Sequence, residues 1–229
     1  GGFVGSWMGS WIRGFVSLWL GSWVRGLVRA LSGSWSELVG GIRLLFEELE
    51  LVYELTPLER GKPNPDFVEA SPFAKIPAIK DGDLLLSESV AIVQYILMKY
   101  GEGRLQPEKE SSEYAYFLHW LNFGESTLIL PIVDILKNTM FRPEEHRHQY
   151  TIDSAKESFI KLLKTMDPML SQQNFLVGNE FTAADIINGY TLRLASNLEL
   201  LNGADGTVNV CNYYKRLEER KAFQKAISS

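Results

Sequence analysis

Residues 71–96 of the sequence, SPFAKIPAIKDGDLLLSESVAIVQYI, constrain the fold more than any other stretch of the chain. They predict an extended segment that ends at the Ile76-Pro77 pair, a tight turn at residues 81–83 and a short apolar strand at residues 84–86. A helix is predicted to begin at residues 87–89. Strand, turn, strand and helix in this order indicate one coherent supersecondary unit.

The start of this predicted helix carries two hydroxyl groups and one carboxylate, from Ser87, Ser89 and Glu88. The first N–H groups of a helix have no partner within the helix, and they point outward. Such a helix start is suited to holding a small anion, for example the carboxylate of a ligand. The alternative is that these residues only cap the helix.

The motif K-I-P at residues 75–77 is preceded by S-P-F-A and followed eleven residues later by E-S-x-A-I. This arrangement resembles the glutathione-binding half of the glutathione S-transferases. The resemblance implies that the Ile76-Pro77 bond is cis, and that the Ile76 backbone pairs with the cysteinyl backbone of glutathione as a neighbouring strand would. It also implies that Glu88 and Ser89 hold the γ-glutamyl end. The alternative is a trans proline at a strand edge.

The same resemblance indicates which hydroxyl group would stabilise a thiolate. From Arg43 onward the sequence, RLLFEELELVYEL, is similar to the passage from the first helix to the second strand in this family. Ser36 lies seven residues before Arg43, as the serine does in the serine-type members. Its implied role is to donate a hydrogen bond to the glutathione sulfur, which lowers the pKa of the thiol. Ser34 is the alternative donor, and Ser36 could instead only cap the helix.

Two lysines are candidates for the other end of the tripeptide. Lys62 lies thirteen residues before Lys75, a spacing similar to that of two lysines that hold the glycyl carboxylate of glutathione in plant-type members. Ammonium groups pair well with such a carboxylate. The alternative is that both are solvated surface lysines, which contribute little.

After a charged linker the sequence predicts only helices. Residues 112–137 predict one long helix, which Pro131 kinks or divides. Its segment HWLNFGESTLILP resembles the helix that lines the electrophile site in bacterial relatives. Tyr116, Trp120 and Phe123 are therefore candidates to contact a hydrophobic co-substrate, and packing into the core is the alternative for these rings.

Residues 181–190, FTAADIINGY, resemble the start of a helix in the second domain of the same family. Thr182 is predicted to cap this helix and Asp185 to complete a capping-box exchange, a structural role worth ~1 kcal/mol. Cys211 lies far from any thiol-activating motif, which excludes the cysteine-type members of the family as a guide.

Composition excludes other classes of function. The net charge of −5 argues against nucleic acid as the main partner, because a phosphate-binding face needs a surplus of Lys and Arg. The single cysteine fits a reducing compartment, and we expect a cytoplasmic protein. Three histidines and one thiol give no cluster with the spacing of metal ligands, so no metal site is predicted.

The first 31 residues differ from the rest of the chain. The tripeptide G-S-W begins at residues 5, 9, 21 and 33, and three arginines but no acidic residue precede Glu37. One interpretation is an arm that contacts a membrane surface or a partner. The other is an added segment with no role in the fold. No uninterrupted apolar run reaches ~20 residues, so a spanning helix is not predicted.

We expect a thioredoxin-like α/β domain at residues 28–103 and an all-α domain at residues 111–229, the glutathione transferase architecture, after an atypical Trp/Gly-rich segment at residues 1–27. The resemblance implies an enzyme of detoxification. It would be a homodimer that conjugates the thiolate of glutathione, its co-substrate, to a hydrophobic electrophile. The alternative is a non-catalytic binding or interaction module of the same fold, with membrane association through the N-terminal segment as one form of it.

Overall fold

A small sheet and three helices form the first half of the molecule in the part of the chain that the structure describes. The computed structural model describes residues 28–33, 40–58, 65–73, 75–203 and 206–228. The strands are β1 (Val28–Gly33), β2 (Tyr53–Leu58), β3 (Ala78–Asp81) and β4 (Leu84–Ser87), and the helices are α1 (Gly40–Glu48), α2 (Pro65–Ala70) and α3 (Ser89–Tyr100). The interpretations of the Trp/Gly-rich segment at residues 1–27 concern a part of the chain outside these ranges.

The sheet has the order β2-β1-β3-β4. β1 and β2 are parallel and are joined by α1, whereas β3 is antiparallel to both β1 and β4. The turn between β3 and β4 contains Gly82 at φ 61°, a backbone conformation that glycine adopts without steric cost. A β-α-β unit followed by a hairpin and a helix is the predicted thioredoxin-like half. In residues 71–96 the turn, the second strand and the helix are confirmed. The first strand, β3, begins at Ala78, whereas the extended segment was predicted to end at Ile76-Pro77.

Helices make up the second half, and residues 101–111 connect it to the first without helix or strand. The α-helices are α4 (Ser112–Phe123), α5 (Ile129–Leu136), α6 (Gln149–Leu170), α7 (Ala183–Asn197), α8 (Val208–Glu218) and α9 (Lys221–Ile227). A short 3₁₀ turn, Glu144–His146, precedes α6. The all-helical second domain is therefore also confirmed.

The long helix predicted at residues 112–137 is continuous, but its irregular points are not at the proline. Two π-helical turns, Gly124–Leu128 and Lys137–Phe141, flank α5, and Pro131 lies within α5 without ending it. Pro131 therefore does not end the helix at its own position, and the kink stays a prediction. A proline normally clashes with the carbonyl four residues before it, and a widened π turn just ahead of Pro131 relieves that crowding.

The two halves pack directly on each other through α1, which contacts α7 and α9. Glycine in a helix costs about 1 kcal/mol relative to alanine, but a Cβ at Gly40 would overlap the ring of Tyr190 in α7. At the other end of α1, the guanidinium group of Arg220 donates two hydrogen bonds to Glu48, at 2.6 and 2.7 Å. Most of the buried apolar side chains form one cluster that spans both halves. Close packing thus fixes the position of one half relative to the other.

Within the described ranges, none of the helices combines the length and the apolar character that crossing a lipid bilayer requires.

Candidate active site

The start of α3 leaves its first N–H groups open. Glu88, the residue before the helix, has φ 73° and ψ 116°, and its side chain makes no capping hydrogen bond. A non-glycine residue rarely adopts this backbone conformation, and such strain often accompanies a functional site. By helix geometry the N–H groups of the first turn, from Ser89 onward, have no acceptor within α3. A helix start of this kind is suited to binding an anion.

The segment ahead of β3 presents a backbone edge. The Ile76-Pro77 peptide bond is cis, as the sequence predicted. Ser71, which is buried, accepts a hydrogen bond from the Lys75 N–H at 2.9 Å, and its hydroxyl donates to the Lys75 carbonyl at 2.6 Å. The Ile76 backbone forms no hydrogen bond with another described residue. Because Ser71 already satisfies Lys75, the open edge begins at Ile76.

These elements meet in a cleft of about 400 Å³ between the two halves of the molecule. Lys75, Ile76, Pro77 and Ser89 line it from the first half. The opposite wall is mostly apolar and comes from α5, α7 and the second π turn; its side chains include Ile129, Val133, Leu136, Phe141, Ile187 and Leu194. The cleft therefore combines a backbone edge and a helix start on one side with an apolar surface on the other.

Three of the residues predicted to form the site line this cleft: Lys75, Ile76 and Ser89. Glu88 lies immediately before α3 with an exposed side chain. Ser36, the alternative Ser34 and Lys62 fall outside the described ranges.

The prediction that three aromatic side chains line the co-substrate wall of this cleft was wrong. Tyr116 is exposed and Trp120 is buried, and neither of them lines the cleft, nor does Phe123. Trp120 packs edge-on against Phe123 in the core, which was the stated alternative. The wall begins further along the same helix because the chain reaches the cleft only after α4 has ended.

Glu125 is a cleft residue that sequence reasoning missed. It belongs to the π turn Gly124–Leu128, which the helical period could not predict. Although its side chain keeps contact with solvent, the surrounding protein removes part of its hydration and raises its pKa. The nearby Ser89 hydroxyl opposes this shift, and the negative charge of Glu88 adds to it.

A larger concavity of about 1300 Å³ lies elsewhere, between α1, β2 and α9. Two of its acidic side chains are already paired: Glu48 with Arg220, and Glu47 with Lys225 at 2.6 Å. Ligand sites usually hold a few polar groups that converge on open space. The cleft beside Ile76 meets this description better. Among the described residues, no group of three or more His, Cys, Asp or Glu side chains is arranged to hold a metal ion.

Two protein-family profiles match the chain. Residues 35–105 match the profile described as glutathione S-transferase, N-terminal domain, and residues 128–221 match glutathione S-transferase, C-terminal domain. Glutathione S-transferase GstB of Escherichia coli is 30% identical over 197 residues, which are 84% of this chain and 93% of the relative. Glutathione S-transferase 4 of Zea mays is 30% identical over 161 residues, which are 66% of this chain and 70% of the relative.

Solved structures share the fold. The theta class glutathione S-transferase from Xanthomonas axonopodis pv. citri, with glutathione bound, has 25% identity and a TM-score of 0.76, over 89% of this chain and 98% of its own. The glutathione transferase URE2P6 from Phanerochaete chrysosporium, in complex with oxidized glutathione, has 25% identity and a TM-score of 0.78, over 88% of this chain and 95% of its own.

Proposed function

Because the chain belongs to the glutathione S-transferase family and glutathione is its co-substrate, we propose that the cleft beside Ile76 conjugates the glutathione thiolate to a hydrophobic electrophile. The observation that carries this proposal is the meeting, in one cleft, of the Ile76 backbone edge, the open start of α3 and an apolar wall. The first two features suit a peptide with a terminal carboxylate. The third suits an apolar co-substrate.

The tripeptide is proposed to lie along the Ile76 edge. Its cysteinyl backbone pairs with the N–H and C=O groups of Ile76 as an added strand. The α-carboxylate of its γ-glutamyl residue accepts hydrogen bonds from the Ser89 hydroxyl and from the first N–H groups of α3, where the helix dipole favours a negative charge. The conformation of Glu88 supports this role, because a capping side chain would otherwise occupy those N–H groups.

The glycyl carboxylate is assigned to lysines. Lys75 lines the cleft with an exposed side chain, and it forms no ion pair with another described residue. Its ammonium group is therefore available to a ligand carboxylate. Lys62 is proposed as the second cation on the basis of its sequence spacing alone.

Ser36 is proposed as the donor that stabilises the thiolate. A free thiol has a pKa of about 8.5, so little of it is ionised near neutral pH. A hydroxyl group that donates to the sulfur favours the anion and lowers this pKa. The thiolate then attacks the electrophilic carbon, the leaving group departs with its electron pair, and a thioether forms. Ser36 provides the hydrogen bond and is not itself consumed.

We further propose that the protein acts as a cytoplasmic homodimer in detoxification. The single cysteine supports a reducing compartment. The family resemblance supports the dimer, and the exposed side chains of Phe73 and Met98 offer apolar surface to a second copy. Sedimentation equilibrium measures the oligomeric state directly.

Replacing Ser89 by alanine tests the proposed binding mode. The change removes one hydrogen bond to a carboxylate, so the KM for glutathione is expected to rise about tenfold while kcat changes less. The assay measures conjugation of glutathione to an activated aryl chloride at varied glutathione concentration. Ser112→Ala is the matched control, because Ser112 is also the first residue of a helix but lies exposed and away from the cleft.

An unchanged KM in Ser89→Ala would contradict the proposed position of the γ-glutamyl carboxylate. Wild-type protein that binds glutathione but does not turn over a range of electrophiles would instead support a non-catalytic binding module.

A further inference from the structure

A lysine interrupts the apolar wall of the cleft beside Ile76. The residues at positions 129, 133, 137 and 141 all line this cleft, four apart along one continuous helix. Three of them, Ile129, Val133 and Phe141, are apolar, and the fourth is Lys137. Residues four apart lie on the same side of a helix. Lys137 therefore brings a cation to the surface that faces the proposed co-substrate.

The second π turn, which begins at Lys137, is held in place by a buried asparagine. The side-chain oxygen of Asn138 accepts hydrogen bonds from the Arg142 guanidinium group, at 3.0 Å, and from the His148 N–H, at 3.2 Å. Its amide group donates to the Asp134 carbonyl at 2.8 Å. Asn138 does not line the cleft, so these bonds anchor the helix from another side. They keep Lys137 on the cleft wall.

The charge of Lys137 is not neutralised by a described carboxylate. Lys137 is exposed and forms no ion pair with another described residue. Glu125 is the acidic residue among the described ones that line the cleft, and it lies about three turns earlier on the same helix. An anionic group on a ligand at this end of the wall would therefore meet a cation that is free to bind it.

The proposed position of glutathione does not use this cation. The γ-glutamyl carboxylate is assigned to the start of α3 and the glycyl carboxylate to Lys75, and both of these line the cleft from the first half of the molecule. Lys137 lies on the opposite wall, among the side chains assigned to the electrophile. A few polar groups in an otherwise apolar site normally fix the orientation of the ligand and determine specificity.

We propose that Lys137 selects co-substrates that combine an apolar body with a carboxylate or another anionic group. This inference rests on the proposed function and names the class of its electrophile. The apolar side chains contact the body of the molecule, and the Lys137 ammonium group donates charge-assisted hydrogen bonds to its anion. The reaction is unchanged: the thiolate attacks the electrophilic carbon, and the leaving group departs with its electron pair. Lys137 positions the electrophile and determines specificity.

Two electrophiles that react at the same kind of carbon test this proposal. One is chlorodinitrobenzene, which is neutral, and the other is chlorodinitrobenzoate, which carries a carboxylate on the same ring. Lys137→Met removes the charge and keeps a long side chain. This variant is expected to lower kcat/KM for chlorodinitrobenzoate about tenfold and to leave kcat/KM for chlorodinitrobenzene within about twofold of the wild type. Lys137→Arg keeps a cation and should recover most of the loss.

The matched control is Lys164→Met, because Lys164 is exposed on α6 and does not line the cleft. It removes the same charge and should treat both electrophiles as the wild type does. Since Lys137 is exposed and has no ion pair within the described structure, Lys137→Met should unfold at the same denaturant concentration as the wild type. The KM for glutathione should also stay unchanged in this variant.

Two results would overturn the inference. One is an unchanged kcat/KM for chlorodinitrobenzoate in Lys137→Met. The other is an equal loss for both electrophiles, which a higher KM for glutathione would accompany if Lys137 held the tripeptide. In either case conjugation of chlorodinitrobenzene by the wild type still supports the proposed function. A wild-type protein that conjugates neither electrophile would overturn both proposals together.

Discussion

Replacing Asp185 by asparagine is expected to lower the free energy of unfolding by about 4 kcal/mol, the largest effect on stability that we predict. Asp185 is fully buried and accepts four hydrogen bonds. Two come from the N–H and hydroxyl groups of Thr182, at 2.8 and 3.1 Å. The Leu176 N–H and the Tyr213 hydroxyl donate the others, at 2.9 and 2.8 Å.

Asparagine cannot replace this acceptor. Its amide has one oxygen, so in either orientation its NH₂ group would face a buried backbone N–H that then has no acceptor, and the hydroxyl on the same side would have to turn to accept from it. Buried donors left without a partner cost far more than the average net value of a hydrogen bond. The sequence suggested only a cap worth ~1 kcal/mol. The structure predicts more, because the same carboxylate joins α7 to α8 and to the segment before α7.

Urea unfolding followed by far-ultraviolet circular dichroism measures this effect as a lower midpoint. The control is Asp153→Asn, because Asp153 is exposed on α6 and bonds only to the side chain of Gln149 in the described structure. Its free energy of unfolding should stay within about 0.5 kcal/mol of that of the wild type. An Asp185→Asn midpoint equal to that of the wild type would show that this network does not hold α7 and α8 together.

Replacing Ser36 by alanine is expected to lower kcat/KM about 100-fold near neutral pH, the largest effect on activity that we predict. The reason is the loss of a hydrogen bond to an anionic sulfur. Without this donor the pKa of the bound thiol rises. At a pH below both pKa values the variant then holds less thiolate than the wild type, and the difference shrinks as the pH rises above them.

The measurement is the pH dependence of aryl chloride conjugation, and Ser34→Ala is the matched variant. The acid limb of the Ser36→Ala profile should move to higher pH, and Ser34→Ala should keep the wild-type profile. The reverse pattern would assign the donor to Ser34. Full activity in both variants would contradict thiolate activation by this segment of the chain.

The glutathione-binding half could be predicted from the sequence because its signals are local. A glycine turn between two short strands and a serine at a helix start specify β3, β4 and α3 without distant contacts. The structure places β4 and α3 within a residue or two of the prediction, whereas β3 begins at Ala78, just after the predicted extended segment ends. The Ile76 edge follows from the same local unit, and so does the convergence of Lys75 and Ser89 in one cleft.

The opposite wall of the cleft could not be predicted in this way. The period of an α-helix assigns faces only while the helix stays regular, and two π turns shift the phase on either side of α5. Glu125 was therefore missed, and the rings of Tyr116, Trp120 and Phe123 were assigned to a wall that they do not line. The reason for a glycine at position 40 could not be predicted either. A Cβ at Gly40 would overlap the ring of Tyr190, which is far away in the sequence.

The backbone pairing at Ile76 is the central claim, and an analogue of glutathione methylated on its cysteinyl nitrogen tests it most directly. The methyl group removes the N–H that is proposed to donate to the Ile76 carbonyl, and it also crowds the edge. Calorimetric titration of the wild-type protein should show at least about tenfold weaker binding of the analogue than of glutathione. Equal affinities would show that the tripeptide does not bind as an added strand at Ile76, which would contradict the proposed active site.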